Sequence, residues 1–148
     1  MRMIVAALLA AGCASAPEPP GVSTGPAIFR AVDVAGPDVD VAAFVRINNA
    51  TANDDALVGV SCACAERVEI HNTFDGDMHV LQALDIPARQ ATDIRPGGPQ
   101  HLMLMGMRAA HANGETVRIV LTFRSGARLE ADFTGVGNSA EGWKAAGG

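Results

Sequence analysis

Two histidines and two methionines are the side chains best suited to chemistry in this sequence: His71, Met78, His101 and Met103. Residues two apart on a strand point to the same face, so His101 and Met103 would lie side by side. His71 follows the strand-like run 68–70, and Met78 opens a second such run after a short loop. An antiparallel barrel could bring all four side chains to one rim, where they would offer two imidazoles, two thioethers and no carboxylate.

This ligand set favours reduced copper over other metals. Thioether sulfur is a soft ligand that suits Cu(I), is a poor ligand for Mg, Ca and Mn, and is unusual for zinc. A neutral ligand set leaves the positive charge of Cu(I) uncompensated, which should ease release and suits a carrier. The alternative is that Met78 and Met103 fill gaps in a core poor in Phe, and that the histidines lie at the surface.

The elements that must position these residues are predicted to be strands. Short β-branched segments alternate with turn residues, with no sustained helical period, which is typical of an all-β antiparallel sandwich or barrel. The predicted strands are residues 27–34, 41–47, 56–61, 67–72, 78–84, 92–95, 102–105, 116–123 and 128–133. We expect hairpin turns at Asn113-Gly114 and Ser125-Gly126.

Composition excludes several classes of function. The chain has 148 residues, enough for one domain with a real core, and a formal net charge of −5 with no run of Lys and Arg. An acidic balance argues against nucleic acid and against an anionic lipid surface as partners. We find no nucleophile paired with a base and no phosphate-binding loop, so the sequence does not predict an enzyme.

The first residues predict export. Arg2 precedes an eight-residue apolar run that is too short to span a bilayer but has the length of a secretory signal. The run leads through Gly12 into Cys13, as in a bacterial lipoprotein signal, which would make Cys13 the lipid attachment site. The alternative is ordinary cleavage after residues 14–16. The expected layout is a signal peptide at 1–12, a flexible tether at 13–26, a copper-binding β-domain at 27–134 and a loosely ordered tail at 135–148.

Other candidate side chains leave alternatives open. Cys62 and Cys64 could be packed thiols, a disulfide within or between chains, or auxiliary Cu(I) ligands, since paired thiols are normally oxidised outside the cytosol. His79 could replace its neighbour as a ligand or face solvent. We expect His111 to be a solvated histidine in a turn.

Residues 67–105 resemble the PCuAC family of periplasmic copper chaperones. The resemblance is carried by Val-Glu-Ile-His at 68–71, Pro-Gly-Gly at 96–98 and His-Leu-Met-Leu at 101–104, and it extends over most of the mature chain. Carried over position by position, the family's copper ligands fall on His71, Met78, His101 and Met103. The family's usual pattern has ten residues between the first histidine and the first methionine, which lands on Gln82. Alignment on the Asp85-Ile86-Pro87 turn instead selects Met78, with a shortened loop.

The resemblance implies a cupredoxin-like or immunoglobulin-like β-barrel that binds Cu(I) in the periplasm or cell envelope. It also implies delivery of the ion to the copper A centre of cytochrome c oxidase, with subunit II of the oxidase or another copper chaperone as acceptor. We expect a monomer that meets the membrane only through the lipid on Cys13. The alternatives are a lipoprotein for copper scavenging or tolerance, and an immunoglobulin-like binding module without metal.

Overall fold

The computed structural model describes residues 21–148, which form ten strands and one short helix. The strands are β1 (Val22–Arg30), β2 (Val41–Asn49), β3 (Asp55–Cys62), β4 (Ala65–Phe74), β5 (Asp77–Leu81), β6 (Leu84–Ile86), β7 (Gln90–Ile94), β8 (Gln100–Met107), β9 (Thr116–Phe123) and β10 (Arg128–Val136). The helix is α1 (Ser139–Ala145). The proposed lipid attachment site, Cys13, lies outside the described residues.

The strands form one sheet in the order β5-β4-β8-β2-β1-β10-β9-β3-β6, with β7 paired to β2 beyond the point where β8 leaves it. The sheet curls into a nearly closed barrel of the cupredoxin-like and immunoglobulin-like class, so the predicted all-β fold is confirmed. Every strand pair is antiparallel except β1 with β10, which run parallel. The sequence did not predict that pairing, because it joins the two ends of the domain.

Alternating burial explains why the strands form. In β9 the side chains that alternate toward the core are buried and those between them are mostly exposed. The buried set is Val117, Ile119, Leu121 and Phe123. Ser125-Gly126 forms the expected β9–β10 hairpin, with Gly126 at φ 91°. The hairpin expected at Asn113-Gly114 is wrong, because this turn lies between β8 and β9, which do not pair.

The ordered domain is longer at both ends than the sequence indicated. β1 begins at Val22, which pairs with Asn49, so the last part of the expected tether 13–26 belongs to the sheet. The tail expected to be loosely ordered contains α1, which begins after the N-cap residue Asn138. Its Trp143 is buried against Ile28 and Phe44 on the outer face of the sheet. No helix within residues 21–148 combines the length and apolar character needed to cross a membrane.

Candidate metal centre

Strands β4 and β8 place two histidines side by side. His71 is the register partner of His101, and the next pair on the same face is Glu69 with Met103. The two imidazole rings lie edge to face, with centroids 5.4 Å apart and planes at 77°. The prediction that His101 and Met103 share a face is confirmed, since Leu102 between them is fully buried in the core.

The spacing of the two rings fits a shared metal ion. A metal about 2 Å from a ring nitrogen lies about 3.2 Å from the ring centroid, so two imidazoles at a tetrahedral angle have centroids about 5.2 Å apart. The observed 5.4 Å matches this value. The separation of the two ring centroids is therefore compatible with one ion bound between them.

Met78 lies on the same face, one strand further out. In the β4–β5 hairpin Val80 is opposite His71, and Met78 is opposite Thr73, two residues nearer the tip. Met78 is 60% exposed, which makes it the most exposed of the four candidate residues. Gln82, the other position considered from the sequence, comes after the end of β5. Binding of copper by Met78 stays a prediction.

His79 does not belong to this face. It pairs with Asn72, and residues one apart on a strand point to opposite sides. His79 is exposed, in keeping with the solvent-facing alternative.

The two cysteines are joined in a disulfide, Cys62–Cys64, in the turn between β3 and β4. The alternatives of packed thiols and of thiolate copper ligands are therefore wrong for this form of the chain. Cys64 also lies seven residues before His71, or about 23 Å along an extended strand, too far to share an ion with it.

Glu69 is the residue of this centre that the sequence prediction missed. Its Oε2 lies 2.8 Å from Nε2 of His71, and its Oε1 accepts a 2.9 Å hydrogen bond from Nε of Arg67. The hydrogen bond from His71, followed by that from Arg67, holds the pKa of the Glu69 carboxyl below its usual value. Glu69 contacts a proposed ligand rather than joining the predicted ligand set, and the signal that was overlooked is a glutamate two residues before a histidine on one strand.

Burial keeps the histidines suited to metal binding. His71 is 7% exposed, and its Nδ1 is buried without a hydrogen-bond partner among residues 21–148. Burial, and then the charge of His71, lowers the pKa of His101 below its usual value. A lower pKa favours the neutral imidazole, which is the form that binds metals.

The donors beside the two histidines include methionine sulfur. In the described part of the chain, no three His, Cys, Asp or Glu side chains cluster closely enough to hold a metal ion. The neighbours of His71 and His101 on their face include Met103 and Met78, both thioethers. Two imidazoles with two thioethers suit a soft monovalent ion.

His111 is not the solvated turn residue expected from the sequence. Its side chain is only 17% exposed, its ring packs edge-on against Phe29, and its backbone bridges Val32. The ring contributes to packing beneath the β8–β9 connection and lies apart from the β4–β8 face.

Comparison with known proteins gives the family. The sequence model of the family described as "Putative lipoprotein LpqE-like" matches residues 22–134, the whole of the β-domain. The chain belongs to this family. A protein of Leifsonia xyli subsp. xyli named "Putative lipoprotein Lxx21020" is 28% identical over 140 residues, covering 87% of this chain and 83% of its own.

Solved structures share the fold. The copper-bound PCuAC domain from PmoF2 superposes with a TM-score of 0.67 at 18% identity, over 82% of this chain and 97% of its own. The Cu(I) form of DR1885 from Deinococcus radiodurans superposes with a TM-score of 0.63 at 29% identity, over 86% of this chain and 84% of its own. The resemblance to PCuAC proteins seen in residues 67–105 is thereby confirmed.

Proposed function

We propose that this chain is an exported copper carrier that holds one Cu(I) on His71, Met78, His101 and Met103. The observation that carries the proposal is the His71–His101 pair, at a spacing that fits one ion and on a face shared with both methionines. The likeness to the Cu(I) form of DR1885 and to the copper-bound PmoF2 domain supports the choice of metal.

The geometry suits an ion that is held and then passed on. His71 and His101 come from two paired strands and anchor the ion on the barrel. Met78 lies on an exposed hairpin at the edge of the sheet, where an acceptor can approach. Exchange of the Met78 thioether for a soft ligand of the acceptor gives a path of transfer in which copper is never free in solution.

Competition for Cu(I) against a coloured chelator under reducing conditions tests the binding. We expect one copper per chain, loss of tight binding in His101→Ala, and unchanged binding in His79→Ala. His79 is the matched control because it lies on the adjacent hairpin strand and faces the other way. Circular dichroism of each variant checks the fold. A wild-type chain that takes up no stoichiometric copper, or equal losses in the two variants, contradicts the proposal.

The acceptor in this proposal is the copper A site of cytochrome c oxidase subunit II, reached directly or through a second copper chaperone, with the chain acting as a monomer. Mixing the Cu(I)-loaded chain with the apo copper A domain, and weighing both partners by native mass spectrometry, tests delivery. We expect the ion to move to the domain. Copper that stays on this chain when the copper A domain is added, with or without a second copper chaperone, indicates the scavenging or tolerance function instead.

Export with lipidation at Cys13 completes the proposal. It is supported by the lipoprotein description of the matched family and by the signal-like residues before Cys13. Expressed in a bacterial host, the wild-type chain should fractionate with membranes outside the cytosol, and Cys13→Ser should be released in soluble form. Recovery of the wild type in the soluble fraction contradicts the anchor while leaving the copper site untouched.

A further inference from the structure

A hydrogen-bonded row on the outer face of β4 consists of Arg67, Glu69 and His71, each two residues from the next. Arg67 donates from Nε to Oε1 of Glu69 at 2.9 Å, and Oε2 of Glu69 lies 2.8 Å from Nε2 of His71. Both carboxylate oxygens of Glu69 are therefore engaged, and both contacts run along a single strand. The row lies directly beside His101 and Met103 of β8.

The contact with Glu69 favours a proton on Nε2 of His71. An ionised carboxylate can only accept hydrogen bonds, so Nε2 must be the donor in this contact. A neutral imidazole has one N–H, which leaves Nδ1 with a free lone pair. Within residues 21–148 this Nδ1 is buried and accepts no hydrogen bond, which is the state expected of an atom kept for another ligand.

We propose that Glu69 is a positioning residue that fixes His71 as the Nε2–H tautomer, so that His71 binds Cu(I) through Nδ1, and that Arg67 holds Glu69 in place. The inference rests on the proposed copper function and adds which ring nitrogen of His71 binds the ion. Carboxylates that accept the second N–H of a metal-binding histidine orient the ring and increase its basicity, and their loss typically lowers metal affinity by about 10–100-fold.

Nitrogen-15 NMR of the histidine rings tests the tautomer in the metal-free chain, because long-range nitrogen–proton correlations distinguish protonated from unprotonated ring nitrogens. We expect a single Nε2–H form of His71 in the wild type and a mixture of tautomers in Glu69→Ala. Glu66→Ala is the matched control, since it removes the same charge from the opposite face of β4. An Nδ1–H form in the wild type, or an unchanged single tautomer in Glu69→Ala, overturns the inference.

Silver-109 is a spin-active substitute for Cu(I) and identifies the bound atom by its coupling to nitrogen-15. We expect coupling to Nδ1 of His71 in the wild type, and Cu(I) affinity lower by about 10–100-fold in Glu69→Ala. Arg67→Ala should lose less, because the exposed Arg67 acts only through Glu69. Coupling to Nε2, or unchanged affinity in Glu69→Ala, refutes the inference alone. A wild-type chain that takes up neither silver nor Cu(I) refutes the proposed function as well.

Discussion

At the scale of single residues, Met103 is the side chain whose chemistry sets the proposed centre apart from a pair of surface histidines. It lies between Glu69 of β4 and Ala42 of β2 and is half-buried. Of the methionines on β8, the strand that carries His101, it is the nearest to that histidine in sequence. An aliphatic residue in place of Met103 would remove the sulfur donor and keep a side chain of similar shape.

Replacing Met103 with Ile should therefore weaken Cu(I) binding by more than the roughly 10–100-fold typical of indirect changes, with little effect on stability. A hydrophobic replacement of similar volume usually costs less than about 1.5 kcal/mol. Competition against a chelator and urea unfolding measure the two effects. Met105→Ile, two residues along on the same strand and opposite Arg67, is the control and should bind normally. Equal binding by the two variants excludes Met103 as a ligand.

At the scale of elements, the sequence was most informative where burial alternates locally. The pattern of β9 and the shared face of His101 and Met103 follow from a period of two alone, and both are found in the structure. Glu69 was overlooked because its spacing from His71 places the two side chains on one face of the strand but does not show that their rotamers bring Oε2 to Nε2. The helix was missed because its seven residues are stabilised by the contact of Trp143 with Ile28 and Phe44, which are distant in sequence.

Asp55 fixes the start of β3 to the β9–β10 turn and should make stability depend on pH. Burial alone would raise the pKa of Asp55, but hydrogen bonds from Ser125 and from the backbone of Ala56 outweigh it, so the folded pKa is lower than normal. Its contribution is therefore present above the unfolded pKa of about 3.9 and is lost as pH falls through the folded value.

Asp55→Asn should consequently be less stable than the wild type at pH 7, and the difference should shrink as pH falls below about 4. Thermal unfolding at several pH values measures this change. Asp38→Asn serves as the control, because Asp38 is an exposed carboxylate in the β1–β2 connection. A difference between Asp55→Asn and the wild type that stays constant from neutral to acid pH would contradict a lowered pKa of Asp55 in the folded chain.

The docking of α1 gives a second prediction at this scale. Trp143→Ala removes the buried side chain that holds the helix to the sheet and should lower the free energy of unfolding by about 3 kcal/mol. Lys144→Ala, exposed on the same helix, should change it little. Urea unfolding followed by circular dichroism gives both values. A similar stability for the two variants would mean that α1 contributes nothing to the fold.

At the scale of the whole molecule, the barrel keeps two types of sulfur apart. The oxidised pair Cys62–Cys64 lies in the turn where β4 begins, whereas the candidate copper face lies toward the other end of that strand. The disulfide therefore leaves the proposed site to neutral thioether and imidazole donors. Glu69 adds a negative charge beside them, but it is already paired with Arg67, so the site as a whole gains little net charge.

X-ray absorption at the copper edge of the Cu(I)-loaded chain tests the central claim most directly, because it counts the neighbours of the ion. We predict two nitrogen neighbours at about 2.0 Å and two sulfur neighbours at about 2.3 Å, with one sulfur lost in Met78→Ile and none in Met105→Ile. A shell of nitrogen and oxygen alone, without sulfur, would contradict the account.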